Sequence, residues 1–178
     1  MQRRSRHGLA AASVLAVLLG IAGCAGGAAA ALAPQPAGQT PSPIARMVCQ
    51  KKAAGEIAQT LGAEASVTVP TWTDHLYSCD YRYREGTMVL SVKELSSWDQ
   101  TYAYFSELAG ALHKKAPILG LGQGAFSVAD GSVVVRKDWK VLLVNTAGLH
   151  GKVGVPPTSP GEIALVVAAV ILGCWSGD

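Results

Sequence analysis

The chain lacks the spacings that carry most recognisable chemistry. Its cysteines include no C-x-x-C pair and its histidines no His-x-x-x-His, so no metal site is predicted. No serine stands in a G-x-S-x-G setting, which removes the signature of a nucleophile elbow. Gly120-Leu121-Gly122-Gln123-Gly124 has G-x-G-x-G spacing, with no Walker lysine and Ser/Thr pair after it. Ala125-Phe126-Ser127-Val128 continues it as a strand, so no helix N-terminus faces the loop to hold phosphate. A turn that must pass close to a neighbouring backbone is the simpler reading. Apolar runs are also short against the roughly 20 residues of a spanning helix. One begins at Leu9 and closes by Gly23; the other, Ile163 to Gly173, holds 11 residues. There is no internal repeat. Asp74, Asp80 and Asp130 have no spacing that requires them to act as a pair. His113, beside Lys114 and Lys115 in the last turn of its helix, puts positive charge at the negative end of the helix dipole. No catalytic residue and no cofactor is assigned, and a non-enzymatic protein is expected.

What is present starts at the amino terminus. Arg3, Arg4 and Arg6 precede an apolar run to Ile21, and no acidic residue occurs before Glu56. A basic start, a short apolar core and small residues before a cut define a secretory signal peptide, here residues 1–23. The run closes on Ile21-Ala22-Gly23-Cys24, which resembles the lipobox of bacterial lipoproteins. That resemblance implies diacylglycerol in thioether linkage on Cys24, cleavage before it, and usually acylation of the new amino terminus. The Arg3-Arg4 pair leaves the general and twin-arginine export routes both open.

Cleavage would remove three of the 15 basic residues, leaving 12 against 12 acidic ones. A near-neutral protein has no basic face to neutralise phosphates, so nucleic acid is not an expected partner. Membrane attachment would come from acyl chains, each buried CH₂ contributing about 0.8 kcal/mol. From Ala25 to Ser42 the chain has no charge and one large aliphatic, Leu32. Such composition cannot offset the entropy of ordering, so 24–42 is read as the lipidated cysteine and a disordered tether. Its typical span would be about 23 Å. Residues 43–178 have the size of one ordinary domain with a real core.

Cys49, Cys79 and Cys174 fall in that domain. Outside the cytoplasm a disulfide is permitted, and three cysteines predict one pair and one leftover. Cys49–Cys79 is favoured, tying a first helix to a first firm strand and adding roughly 3–4 kcal/mol in the chain-entropy treatment. Pairing of Cys174 with either one is the alternative.

Three helix starts are legible as caps: Ser42-Pro43, Ser97 with Gln100, and Ser159-Pro160 with Glu162. The first helix runs to Leu61 and stops at Gly62. Trp98, Tyr102, Phe105, Ala109 and Leu112 recur at helical spacing in the second and are read as core. The third, apolar all round, should lie across a sheet. Strands are expected at 67–69, 76–83, 87–94, 125–128, 132–137 and 139–146, with Asp130-Gly131 as a type I′ turn. Tyr77, Cys79, Tyr81 and Tyr83 share one face, opposite Ser78, Asp80 and Arg82. The expected fold is α+β, an antiparallel sheet of about five strands with three helices packed on it.

Trp72 and His75 in one loop and His150 in another are the candidate ligand rim. As a whole the chain is similar to small uncharacterised lipoproteins of high-GC Gram-positive (actinobacterial) bacteria. The resemblance rests on the lipobox, the Ala/Pro tether, Cys49, Cys79-Asp80-Tyr81, the 119–126 glycine segment and Cys174-Trp175. It implies an exported one-domain α+β lipoprotein on the extracytoplasmic face of the cell membrane, and it brings no catalytic residues. The expected function is a non-enzymatic binding or accessory module at the envelope. Its partners would be the membrane through the lipid on Cys24 and an unknown small ligand or envelope protein. A docking subunit of a membrane or wall assembly is one alternative, and an enzyme with an unrecognised site the other.

Overall fold

A computed structural model describes residues 33–175. The leader, the lipobox at Cys24 and the first part of the tether lie outside the described residues. In chain order the elements are α1 (Pro43–Met47), α2 (Lys51–Leu61), β1 (Ser66–Val67), β2 (Thr71–Thr73), β3 (Leu76–Tyr83) and β4 (Gly86–Glu94). Then come α3 (Trp98–Ala111), β5 (Ala116–Ile118), β6 (Gly124–Ser127), β7 (Val133–Lys137), β8 (Lys140–Leu149) and α4 (Pro160–Trp175). All strands join one antiparallel sheet in the order β1-β3-β4-β8-β7-β6-β5, and β2 also pairs with β3. The α+β class and single antiparallel sheet agree with expectation, but the described residues form eight strands and four helices rather than about five and three.

The strands alternate as their side-chain period requires. Cys79, Tyr81, Leu90, Val92, Leu142 and Val144 turn to one face, which α1, α2 and α4 cover with Val48, Ile57, Val167 and Ile171. Phe126, Val134 and Val141 turn to the other, under Phe105 and Leu108 of α3. α3 lies on β7 and β8 and its Tyr104 reaches Lys93 of β4; at the β3 edge of that face Asp80 is half-buried and Arg82 exposed.

The caps act as their sequences suggest. Ser42 Oγ accepts from Ala45 N at 3.2 Å, and Ser97 Oγ from Gln100 N at 3.2 Å. Glu162 Oε2 accepts from Ser159 N at 3.1 Å and Ser159 Oγ at 2.6 Å, and those bonds lower the carboxyl's pKa. The first helix departs from expectation. It breaks after Met47, because Gln50 is extended (φ −82°, ψ 154°) before α2 begins. The break brings Cys49 to Cys79, and the two form a disulfide. Beside it the buried Tyr81 hydroxyl donates to Val48 O at 2.6 Å. Burial raises the Tyr81 phenol's pKa, and it pushes the neighbouring Tyr83 up to about 12. No described cysteine is free, so the leftover thiol expected at Cys174 is not found there. The Asp130-Gly131 turn also differs. Only Gly131 has positive φ (94°), whereas type I′ needs it at both central residues.

Candidate functional site

One end of the sheet gathers most of the unusual features. It is the end where β4 and β7 finish and where β3, β6 and β8 begin, as the pairs Leu76–Lys93, Glu94–Lys140 and Gly124–Arg136 show. Part of the segment read as tether is bound here. Ala37 N donates to Leu95 O at 3.2 Å and to Ser96 Oγ at 3.2 Å. Trp72 Nε1 donates to Gln39 O at 3.0 Å, and His75 Nδ1 to Gly38 O at 3.1 Å. The Trp72 and His75 rings meet edge-on at 5.7 Å. Ser42 N donates to Glu94 Oε2 at 3.1 Å. Composition predicted no order in 33–42; the polar backbone nevertheless finds partners on a sheet end that sequence alone does not display.

Two of the candidate rim residues thus meet the chain's own strap. The third does not join them. His150 N donates to Glu85 O at 2.8 Å, beyond the far ends of β3 and β8. The eight residues of β3 put roughly 27 Å between the two ends. Trp72, His75 and His150 therefore do not line one cleft.

Asp74 and His75 both take positive φ (50° and 59°) in the β2–β3 turn. Lys93 Nζ donates to Asp74 O across that turn. Glu94 and Lys140 face each other inside the protein, Nζ to Oε1 at 3.8 Å, with side chains 3% and 7% exposed. Glu94 thereby joins the strap to the sheet.

On the α3 side of the same end, Arg136 is 6% exposed and has no carboxylate within 4.0 Å among the described residues. Its Nη2 donates to Gln123 O at 2.6 Å, while its Nε has no acceptor. Aromatic faces take the place of a counter-charge: Cζ lies 4.1 Å from the Tyr102 ring centroid, 5.8 Å from Trp98 and 5.9 Å from Phe105. Such contacts contribute roughly 0.5–2 kcal/mol each, the larger values when desolvated. The stripe read as wholly core is therefore split. Phe105, Ala109 and Leu112 pack against the sheet, while Trp98 and Tyr102 are 39% and 52% exposed.

The glycine segment now has a physical reason. Gly122 (φ 60°) lies where a Cβ would sit 2.6 Å from Val135 Cγ1 and 2.8 Å from Arg136 O. A Cβ at Gly124 would crowd the Arg136 guanidinium at 3.3 Å. The loop lets backbone pass under Arg136, and no helix N-terminus follows it. Gly122→Ala is expected to cost at least about 1–2 kcal/mol from the left-handed conformation alone. A thermal melt that leaves the alanine variant unshifted would contradict this packing.

The clefts among the described residues are open to solvent. A cleft of about 490 Å³ lies between the 120–123 loop and Ala169, Leu172 and Gly173 of α4. Another of about 370 Å³ lies between the Ser127–Gly131 turn and the start of α4, with Glu162 on its wall. Neither touches Trp72, His75 or His150. Among the described residues no group of three or more His, Cys, Asp or Glu could hold a metal ion. Among them, too, no helix is long and apolar enough to cross a membrane. Nothing matches this chain among protein-family models, curated proteins or solved structures. Arg136, Glu94 and Lys140 were not singled out by sequence. Their only signal was a charge inside or beside an apolar strand.

Proposed function

We propose that the protein is an extracytoplasmic lipoprotein, anchored to the cell membrane through diacylglycerol on Cys24 and acting as a non-enzymatic binding or accessory module of the envelope. The observation that carries this reading is the order Ile21-Ala22-Gly23-Cys24 at the end of a basic, then apolar, leader. The near balance of charge beyond residue 23 agrees with attachment through lipid rather than through a polybasic patch. Docking onto an envelope protein is the second reading. The β3 edge of the sheet, with Asp80 and Arg82 on it, favours that over ligand carriage in these clefts.

Cys24→Ala is expected to abolish acyl labelling in cells and to move the protein out of the membrane fraction. Persistent labelling of that variant would overturn the reading. Native mass spectrometry on protein taken gently from its own envelope then separates the two roles. A stable extra mass supports ligand carriage, and a bare polypeptide with its acyl chains supports docking.

A further inference from the structure

The strap fixes which end of the domain the anchor leaves from. Ala37 is bonded to Leu95, and Leu95 N donates to Trp139 O at 2.8 Å. The adjoining Asp138 N donates to Gln123 Oε1 at 2.7 Å, and Gln123 holds Arg136 beneath Trp98 and Tyr102. Strap and aromatic pair thus share one hydrogen-bonded rim.

Leu119, 92% exposed, stands in the loop of the same rim, just after β5. The other exposed large apolar residues are scattered. Leu165 and Val155 belong to the opposite half, and Val69 lies outside β3. Both exposed aromatics are therefore at the strap end, lifted outward because Arg136 fills the space below them. Tryptophan and tyrosine with an apolar body and a polar tip suit the headgroup layer of a bilayer.

We propose that the domain rests on the membrane by this end, with Trp98, Tyr102 and Leu119 seated in the lipid interface. The proposal rests on the lipoprotein reading. Thirteen residues of chain lead from Cys24 to Ala37. A chain of that length and composition typically spans about 20 Å and at full stretch reaches about 45 Å. The ten residues of β8 are about 34 Å long, so presenting the far end to the bilayer needs a tether stretched well beyond its typical span. Charge does not oppose the contact and does not drive it: Asp99 and Asp138 accompany Arg136 and Lys137 at this end. The attraction is apolar and should persist in high salt.

The test uses the full lipidated chain in vesicles of phosphatidylcholine and phosphatidylglycerol whose acyl chains are brominated near the headgroup. Wild-type tryptophan emission is expected to be quenched relative to unbrominated vesicles, and Trp98→Phe to lose most of that quenching. Leu119→Asp, at an exposed position that leaves the fold intact, should cut the quenching by about half at unchanged thermal stability. Unquenched wild type that carries acyl mass and floats with the vesicles would overturn the orientation and leave the lipoprotein reading standing. It would also direct the patch to an envelope protein. Quenching that survives in Trp98→Phe would overturn the seating of Trp98 but not the choice of end, since Trp72, Trp139 and Trp175 lie at the same end. Protein without acyl mass that fails to float would overturn both.

Discussion

Replacing Cys49 and Cys79 together by alanine is expected to lower the unfolding free energy by about 3–4 kcal/mol, a fall in Tm of about 10–15 °C. The bridge closes a 30-residue separation. Alanine rather than serine is the right replacement, because Cys79 is 3% exposed and a hydroxyl there would be buried. The corner between α1 and α2 is fixed to β3 at two adjacent points, the disulfide and the Tyr81 hydroxyl on Val48 O. Tyr81→Phe leaves that carbonyl without its hydroxyl partner, at a cost of about 1–3 kcal/mol. The two changes should couple, since each point holds the other in register. Wild type under reducing conditions should melt no higher than the double variant, since Cys174 is not a free thiol either. A double variant that melts like the oxidised wild type would show that α1 and α2 stay on the sheet without the bridge.

Local chemistry was legible in the sequence, and contacts between distant elements were not. Ser42-Pro43, Ser97 with Gln100, and Ser159 with Glu162 announce helix starts because a cap satisfies its own nearby N–H groups. Cys79 and Tyr81 opposite Ser78 and Asp80 follow from alternation alone. Two strands escaped notice, β2 and β5, each of three residues and the second carrying Pro117. Edge strands this short owe their shape to the partner they pair with, so no pattern of their own announces them. The break at Val48–Gln50 escaped for the opposite reason. Ser42 to Leu61 has good helical content throughout, and a tertiary tie to β3 overrides it.

The candidate site was legible only in fragments. Trp72 and His75 were picked out singly, but their partners, the carbonyls of Gln39 and Gly38, lie more than 30 residues away. His150 was grouped with them by residue type, and the register of β3, β4 and β8 separates it. Helical spacing put Trp98 and Tyr102 on the buried stripe. It could not show that β7, beneath the first turns of α3, carries an arginine next to its end.

Glu94→Ala is expected to destabilise the domain by about 3–5 kcal/mol, the usual cost of stranding one member of a buried ion pair. Glu94 and Lys140 are register partners at the strap end, and each side chain is more than nine-tenths buried. Removing the carboxylate leaves the Lys140 cation without a counter-charge and Ser42 N without an acceptor. Lys140→Met alone should cost less, because the carboxylate left behind still accepts from Ser42 N. The pair Glu94→Leu with Lys140→Met should recover most of the loss, since apolar side chains of similar volume replace buried pairs at little cost. It cannot recover the bond to Ser42. Denaturant titration should therefore show near-native stability for this pair of changes, while hydrogen exchange at 37–42 stays fast. That divergence would separate two roles of one carboxylate, balancing Lys140 within the sheet and clamping the segment that leads to Cys24. Single variants whose costs simply add, or an alanine variant losing under about 1 kcal/mol, would mean that water reaches the pair. The strap would then depend on Leu95, Trp72 and His75 for its place on the sheet.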